Sequence, residues 1–126
     1  MTRILYVDDE PDIREVTQMA LELEPDFEVR TAASGAEGLA EAAAWSPDLI
    51  LLDVMMPQMD GPTVLEKLRA NPATATIPVV FITARTQAQE VAALKTLGAL
   101  GVIAKPFDPM TLPTQIAEAL GWEVGS

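Results

Sequence analysis

The chain has 126 residues, which suits one domain of ordinary size and leaves no room within it for a second full-sized one. Eight Lys and Arg residues against nineteen Asp and Glu residues give a net charge of −11, and such an acidic surface disfavours binding to nucleic acid or to anionic membranes. Cysteine and histidine do not occur, which excludes disulfides, thiolate or imidazole metal ligands, and a histidine phosphodonor within this chain.

The first predicted strand is the apolar run from Ile4 to Val7, which ends at three acids, Asp8, Asp9 and Glu10. Pro11 then opens a segment with apolar residues at helical spacing, so a strand is followed by a helix. The acids come too early for a signal-peptide hydrophobic region to form, and no apolar run approaches the roughly 20 residues that span a bilayer. These features predict a soluble, cytoplasmic protein.

A second strand and helix precede a strongly apolar third strand. Residues 27–31 read as a weak strand, and Ser34 and Glu37 have the spacing of a capping box at the start of an alanine-rich helix. Residues 49–52 are apolar without alternation and end at Asp53. This pattern predicts a central parallel strand that is covered on both faces.

The alternation of strand and helix continues to the last predicted helix. Asp108 and Pro109 are expected to cap that helix, and Pro113 near its first turns predicts a delayed start of the regular helix. Five strand and helix pairs predict a parallel sheet with right-handed connections, an α/β three-layer sandwich. The elements not yet named are a helix over 61–71, a strand over 79–82 ending at Thr83, a helix over 87–97 and a strand over 102–104 ending at Lys105.

Charged and hydroxyl side chains follow four of the five predicted strands: Asp8 and Asp9, then Asp53, Thr83 and Lys105. In sheets of this kind ligands bind beyond the carboxyl ends of the strands, so we expect these side chains to converge. Three clustered carboxylates repel one another, and the site therefore binds either protons or a hard divalent cation through oxygen ligands. Mg²⁺ is the simplest choice, with another hard cation such as Mn²⁺ as the alternative.

A cation at this position would turn a phosphate-repelling edge into one that accepts a phosphoryl group. Lys105 would supply a second positive charge and Thr83 a hydroxyl donor. Aspartate serves as the nucleophile in aspartyl-phosphate chemistry, and Asp53 is the best placed because it follows a wholly apolar strand. Asp8 and Asp9, being adjacent, suit a metal platform.

Each of these residues also has a purely structural interpretation. The acidic pair could cap the following helix, Asp53 could begin a turn, Thr83 could be an ordinary strand end, and Lys105 a solvated charge. These explanations must all hold independently, whereas one site accounts for every position. We therefore favour the single site.

These motifs together resemble a response-regulator receiver domain, of the chemotaxis-regulator type in two-component signalling. The resemblance covers nearly the whole chain and implies a flavodoxin-like fold with strand order 2-1-3-4-5 and five helices. The matching segments are ILYVDDE at 4–10, DLILLDVMMP at 48–57, MDG at 59–61, ITA at 82–84 and KPF at 105–107.

The resemblance also assigns roles to the residues at the strand ends. It implies that Asp53 is the phosphoacceptor and that Mg²⁺ is held by Asp8, Asp9, Asp53 and the backbone carbonyl of Met55. Thr83 and Lys105 would bind the phosphoryl oxygens. The family further implies a cis peptide bond after Lys105, which an X-Pro amide permits.

The function expected from the resemblance is that of a single-domain response regulator, with the receiver over residues 1–121 and a short tail over 122–126. It would take its phosphoryl group from a sensor histidine kinase or a histidine phosphotransfer protein and turn over no separate substrate. Its downstream protein target is unknown; we expect contact through the last helices and the fifth strand.

One departure from the family keeps an alternative open. Many receivers have an aromatic residue three positions before the strand-five lysine, where this chain has Val102. We therefore expect weaker or rerouted coupling from Thr83 to the last helices. The alternative is a phosphorylation-independent adaptor with the same fold. A flavodoxin-like cofactor binder is disfavoured, because acids follow the first strand where a phosphate would need hydroxyls and backbone amides.

Overall fold

The computed structural model describes residues 2–120, in which strands and helices alternate throughout. The predicted boundaries agree with it to within two residues except at the last helix, and the tail expected at 122–126 lies outside the described residues. The elements are β1 Thr2–Val7, α1 Pro11–Glu22, β2 Phe27–Ala32, α2 Gly35–Trp45, β3 Leu49–Asp53, α3 Gly61–Ala70, β4 Val79–Thr83, α4 Ala88–Thr96, β5 Gly101–Ala104 and α5 Leu112–Leu120.

The five strands form one parallel sheet in the order β2-β1-β3-β4-β5, which confirms the predicted fold. Val7 of β1 pairs with Leu52 of β3, and Thr83 of β4 pairs with Ala104 of β5. The carboxyl ends of these strands therefore lie along one edge of the sheet. The strand order reverses between β1 and β3, and this is the place where open α/β sheets bind their ligands.

Side chains that alternate along the strands divide the core into two layers, one on each face of the sheet. The layer under α2, α3 and α4 contains Leu5, Val7 and Phe81. The layer under α1 and α5 contains Tyr6 and Ile82. Every residue of β3 and β4 is buried, because helices cover both faces of the sheet. The three-layer sandwich follows from this arrangement.

Local hydrogen bonds at two helix starts differ from the sequence expectation. At α2 the Ser34 hydroxyl accepts from the Glu37 N–H as predicted, but the Glu37 carboxylate accepts from the N–H of Ala33, one residue before the cap. The expectation that Asp108 and Pro109 cap α5 is wrong. Asp108 instead closes a turn by accepting from the Met110 N–H at 2.9 Å, and the helix begins at Leu112.

Pro113 is the second residue of α5, where its missing N–H removes no helical hydrogen bond. This explains why the regular helix starts late. None of the helices within residues 2–120 has both the length and the apolar character that a membrane crossing requires.

Candidate functional site

Three carboxylates meet at the carboxyl ends of β1 and β3. One oxygen from each of Asp8, Asp9 and Asp53 lies within 4.8 Å of the other two. Asp8 is fully buried and Asp53 is 3% exposed, whereas Asp9 is half-buried. The structure thus brings Asp53 to the pair Asp8 and Asp9, which precede it by more than 40 positions, because β1 and β3 are neighbours in the sheet.

The Lys105 ammonium lies between the two buried acids. Its Nζ atom is 3.0 Å from Asp8 Oδ2 and 3.4 Å from Asp53 Oδ2, and a third contact reaches Glu10 Oε1 at 3.6 Å. The peptide bond from Lys105 to Pro106 is cis, as the resemblance implies. Glu10 was not assigned a role from the sequence. It is more than half exposed, and its contribution is therefore screened by solvent.

Asp8 is held by several donors at once. The Tyr6 hydroxyl donates to Oδ2 at 2.6 Å, and the Glu10 N–H donates to Oδ1 at 3.0 Å. The Arg14 guanidinium of α1 donates to the Asp8 carbonyl at 2.8 Å. Sequence reasoning missed Tyr6 and Arg14. The available signal was a hydroxyl-bearing side chain within the aliphatic first strand.

The acids do not cap α1, which was the structural alternative for the acidic pair. Glu10 occupies the N-cap position of α1 and makes no side-chain capping hydrogen bond. The Asp8 carboxylate accepts from the Glu10 N–H, which lies before the helix. Asp8 therefore faces the cluster and Lys105 instead of the helix N-terminus.

Thr83 ends β4 at the same edge of the sheet and is 1% exposed. Its hydroxyl accepts from the Arg85 N–H at 3.0 Å, and its carbonyl accepts from the Lys105 N–H at 2.8 Å. Val102 pairs with Phe81 across β4 and β5 and is half-buried against the core. The position that is aromatic in many receivers is here filled by a small apolar side chain.

The loop after β3 is fixed by the close approach of α3. The Gly61 N–H donates to the Val54 carbonyl, and a Cβ atom on Gly61 would lie 2.6 Å from the Asp53 carbonyl oxygen. Only glycine fits there without moving the backbone that carries Asp53. Met55 follows with an exposed side chain, and its carbonyl accepts no backbone hydrogen bond within residues 2–120. That carbonyl is available as a ligand.

The buried charges change the acidity of their neighbours. Burial and the adjacent Asp8 charge raise the pKa of Asp53 to about 6, although Lys105 opposes the change. Burial alone would lower the pKa of Lys105, but bonding to Asp8 and the Asp53 charge outweigh it and raise that pKa. Burial and the hydrogen bond to Asp8 raise the pKa of the Tyr6 phenol, which therefore keeps its proton.

The donor set suits a hard divalent cation. It consists of carboxylate oxygens, with one ammonium close to two of them, and the local charge remains negative. Hard cations such as Mg²⁺ take oxygen ligands and need only one or two direct carboxylates. The cluster of Asp8, Asp9 and Asp53 could therefore hold a metal ion.

Comparison with known proteins gives consistent matches. A family model described as the response regulator receiver domain matches residues 4–117. The chain is 42% identical over 108 residues to the DNA-binding dual master transcriptional regulator RpaA of Synechocystis sp., covering 86% of this chain and 44% of that protein. It is 46% identical over 112 residues to the response regulator PleD of Caulobacter vibrioides, covering 87% of this chain and 24% of that protein.

Among solved structures, the chemotaxis response regulator CheY4 of Vibrio cholerae is similar with a TM-score of 0.87 at 34% identity. The alignment covers 94% of this chain and 98% of that chain. A response regulator from Desulfuromonas acetoxidans has a TM-score of 0.84 at 30% identity, covering 96% of this chain and 98% of that one. The chain spans about half the length of the first curated relatives that it matches.

The raised pKa of Asp53 predicts how stability depends on pH without metal. Because the folded state binds this proton more tightly than the unfolded state, Asp53 makes stability fall as pH rises from about 4 to about 6. Asp53→Asn should remove this penalty and raise the free energy of unfolding by up to about 3 kcal/mol at about pH 8. Urea unfolding in chelator measures the gain, which should shrink towards about pH 4.

The matched control is Asp26→Asn, which removes the same charge at an exposed position. This variant should stay within about 0.5 kcal/mol of the wild type at every pH. A loss of stability in Asp53→Asn at about pH 8 would contradict the prediction.

Proposed function

The chain belongs to the response regulator receiver domain family, and we propose that Asp53 accepts a phosphoryl group from a histidine-bearing signalling protein and thereby switches the chain's protein contacts. The observation that carries the proposal is the convergence of buried Asp53 with two further carboxylates and the Lys105 ammonium. A carboxylate cluster of this kind costs stability, so a purely structural role gives no reason for it.

In this proposal Mg²⁺, or another hard cation such as Mn²⁺, is held by Asp8, Asp9, Asp53 and the Met55 carbonyl. When bound, it supplies positive charge that offsets the carboxylates and the incoming phosphoryl oxygens. The support is the donor set itself: oxygen atoms of three acids lie within 4.8 Å, and the Met55 carbonyl accepts no backbone hydrogen bond in the described part of the chain.

The side chains around Asp53 have different roles in the phosphoryl transfer. One Asp53 carboxylate oxygen attacks phosphorus while the bond from phosphorus to the donor imidazole nitrogen breaks, and the electron pair of that bond leaves with the imidazole. The pKa of about 6 leaves Asp53 largely ionised, and therefore nucleophilic, at neutral pH. Lys105 Nζ, 3.4 Å from Asp53, is placed to pair with a phosphoryl oxygen.

Thr83 can contribute a hydrogen bond to the same group. Its hydroxyl oxygen accepts from the Arg85 N–H, which leaves the hydroxyl proton free to be donated. A phosphoryl oxygen on Asp53 would be a suitable acceptor. This would couple the phosphorylation state to the segment after β4, where Arg85 lies.

The phosphodonor is proposed to be a sensor histidine kinase or a histidine phosphotransfer protein that docks on α1. Val16 and Met19 of this helix and Leu23 at its C-cap are 51%, 62% and 68% exposed and form one apolar stripe. A stripe of this kind fits the apolar face of a partner helix.

A cavity beside this stripe connects it to the site. It has a volume of about 250 Å³ and lies between α1 and the segment after β5, with Ile13, Val16, Lys105 and Phe107 among its lining residues. Lys105 belongs to both the cavity and the acid cluster, so a helix seated here would bring its histidine close to Asp53. Asp12 also lines the cavity, and we propose basic residues on the facing surface of the partner.

For the output, we propose that residues 1–121 act as the receiver in the cytoplasm and that an unknown protein target contacts α4, β5 and α5. The support is the loose attachment of α4, in which only Leu94 is buried, and the exposure of Leu97 and Leu100 just before β5. The competing function is a phosphorylation-independent adaptor that uses the same face, and the observation that favours it is Val102.

Incubation with a small phosphodonor and Mg²⁺ distinguishes the two functions. Intact-mass spectrometry should show one labile phosphoryl addition to the wild type, because Asp53 is a buried, ionised nucleophile beside a cation site. Asp53→Asn should show no such addition, and neither should the wild type in chelator. The absence of an addition to the wild type in Mg²⁺ would contradict the proposal and favour the adaptor.

The docking surface is tested with purified histidine kinases that have been autophosphorylated. For whichever kinase phosphorylates the wild type, Met19→Glu should slow transfer about tenfold or more, because it places a charge in the apolar stripe. Phosphorylation by the small phosphodonor should not change. The matched control is Leu97→Glu, at a similarly exposed leucine away from α1, which should transfer normally. Equal slowing in both variants would contradict the docking proposal.

A further inference from the structure

Tyr6 is a fully buried phenol within the aliphatic part of β1. Its ring packs in the core layer under α1 and α5, where a phenylalanine would fill the same space. The hydroxyl is therefore not needed for packing, and burying it requires a hydrogen-bond partner. That partner is Asp8 Oδ2, at 2.6 Å.

The bonds to Asp8 restrict how its carboxylate can be used. Oδ2 accepts from the Tyr6 hydroxyl and lies 3.0 Å from Lys105 Nζ, while Oδ1 accepts from the Glu10 N–H. A carboxylate has about four acceptor positions, so these donors leave one position free, on Oδ1. Without the phenol, the carboxylate could rotate and Lys105 could leave its place between Asp8 and Asp53.

We infer that Tyr6 is a positioning residue, whose hydroxyl orients Asp8 for the cation and keeps Lys105 next to Asp53. This inference rests on the proposed function, since it concerns the same metal site. Tyr6 acts only through Asp8. Groups that orient a metal ligand in this way typically change metal affinity by 10- to 100-fold when they are removed.

Thr17 provides a matched control. It lies on α1 beside the phenol and partly offsets the rise in the pKa of Tyr6, but its hydroxyl makes no hydrogen bond to Asp8 within residues 2–120. Thr17→Val therefore removes a buried hydroxyl next to Tyr6 without removing a bond to Asp8. An effect that Tyr6 exerts through Asp8 should therefore be absent in Thr17→Val.

The test is a calorimetric or NMR titration of the unphosphorylated full chain with Mg²⁺. Tyr6→Phe should weaken binding by roughly 10-fold, and Thr17→Val should change it by less than about twofold. In an Asp8→Asn background, Tyr6→Phe should have almost no further effect, because the phenol acts through Asp8. Unfolding measured in chelator shows separately whether a substitution lowers the stability of the fold.

A second measurement uses the fact that Tyr6 is the only tyrosine of the chain. With 3-fluorotyrosine incorporated, the single ¹⁹F resonance should shift as Mg²⁺ is added to the wild type, and it should not shift in Asp8→Asn. This reading needs no substitution at Tyr6, so it remains valid if Tyr6→Phe folds poorly.

The outcomes separate the inference from the proposed function. If the wild type binds Mg²⁺ but Tyr6→Phe binds it equally well, or loses as much affinity in the Asp8→Asn background, the positioning role is refuted. If the wild type does not bind Mg²⁺, the metal site of the proposed function is refuted, and the role of Tyr6 with it.

Discussion

The repulsion between two buried carboxylates, Asp8 and Asp53, is the constraint on which the rest of the site depends. They lie at the carboxyl ends of neighbouring strands, and the Lys105 ammonium is the cation that lies between them among the described residues. Burial makes this repulsion stronger than it would be in water. The strand order brings the two acids together, because β1 and β3 become neighbours at the point where that order reverses.

The structure stabilises the two acids unequally. Asp8 receives the Tyr6 hydroxyl, the Glu10 N–H and Lys105, whereas Asp53 has only Lys105 within residues 2–120. Burial and the Asp8 charge raise the pKa of Asp53 to about 6. This asymmetry assigns different tasks to similar side chains, because a carboxylate bonded to three donors is held in place while one with more free acceptor positions can react.

Much of this arrangement follows from the sequence. The uninterrupted apolar run before Asp53 predicts a doubly covered strand, and parallel strands bring their ends to one edge, so convergence is predictable. Side-chain hydrogen-bond partners cannot be predicted in this way, because periodicity shows which face a residue occupies but not which atom its side chain contacts. Tyr6 and Arg14 were missed for this reason. The late start of α5 was expected from Pro113, but Asp108 was wrongly placed as its cap, since a turn competes with capping for the same carboxylate.

The most direct test of the central claim is a crystal structure of the full chain grown with Mg²⁺ and beryllium fluoride, which mimics a phosphoryl group. We expect tetrahedral density bonded to an Asp53 carboxylate oxygen and contacted by Lys105 and Thr83, with the cation bound by the acid cluster. Density for the mimic elsewhere, or an acid cluster that stays without a cation at saturating Mg²⁺, would contradict it.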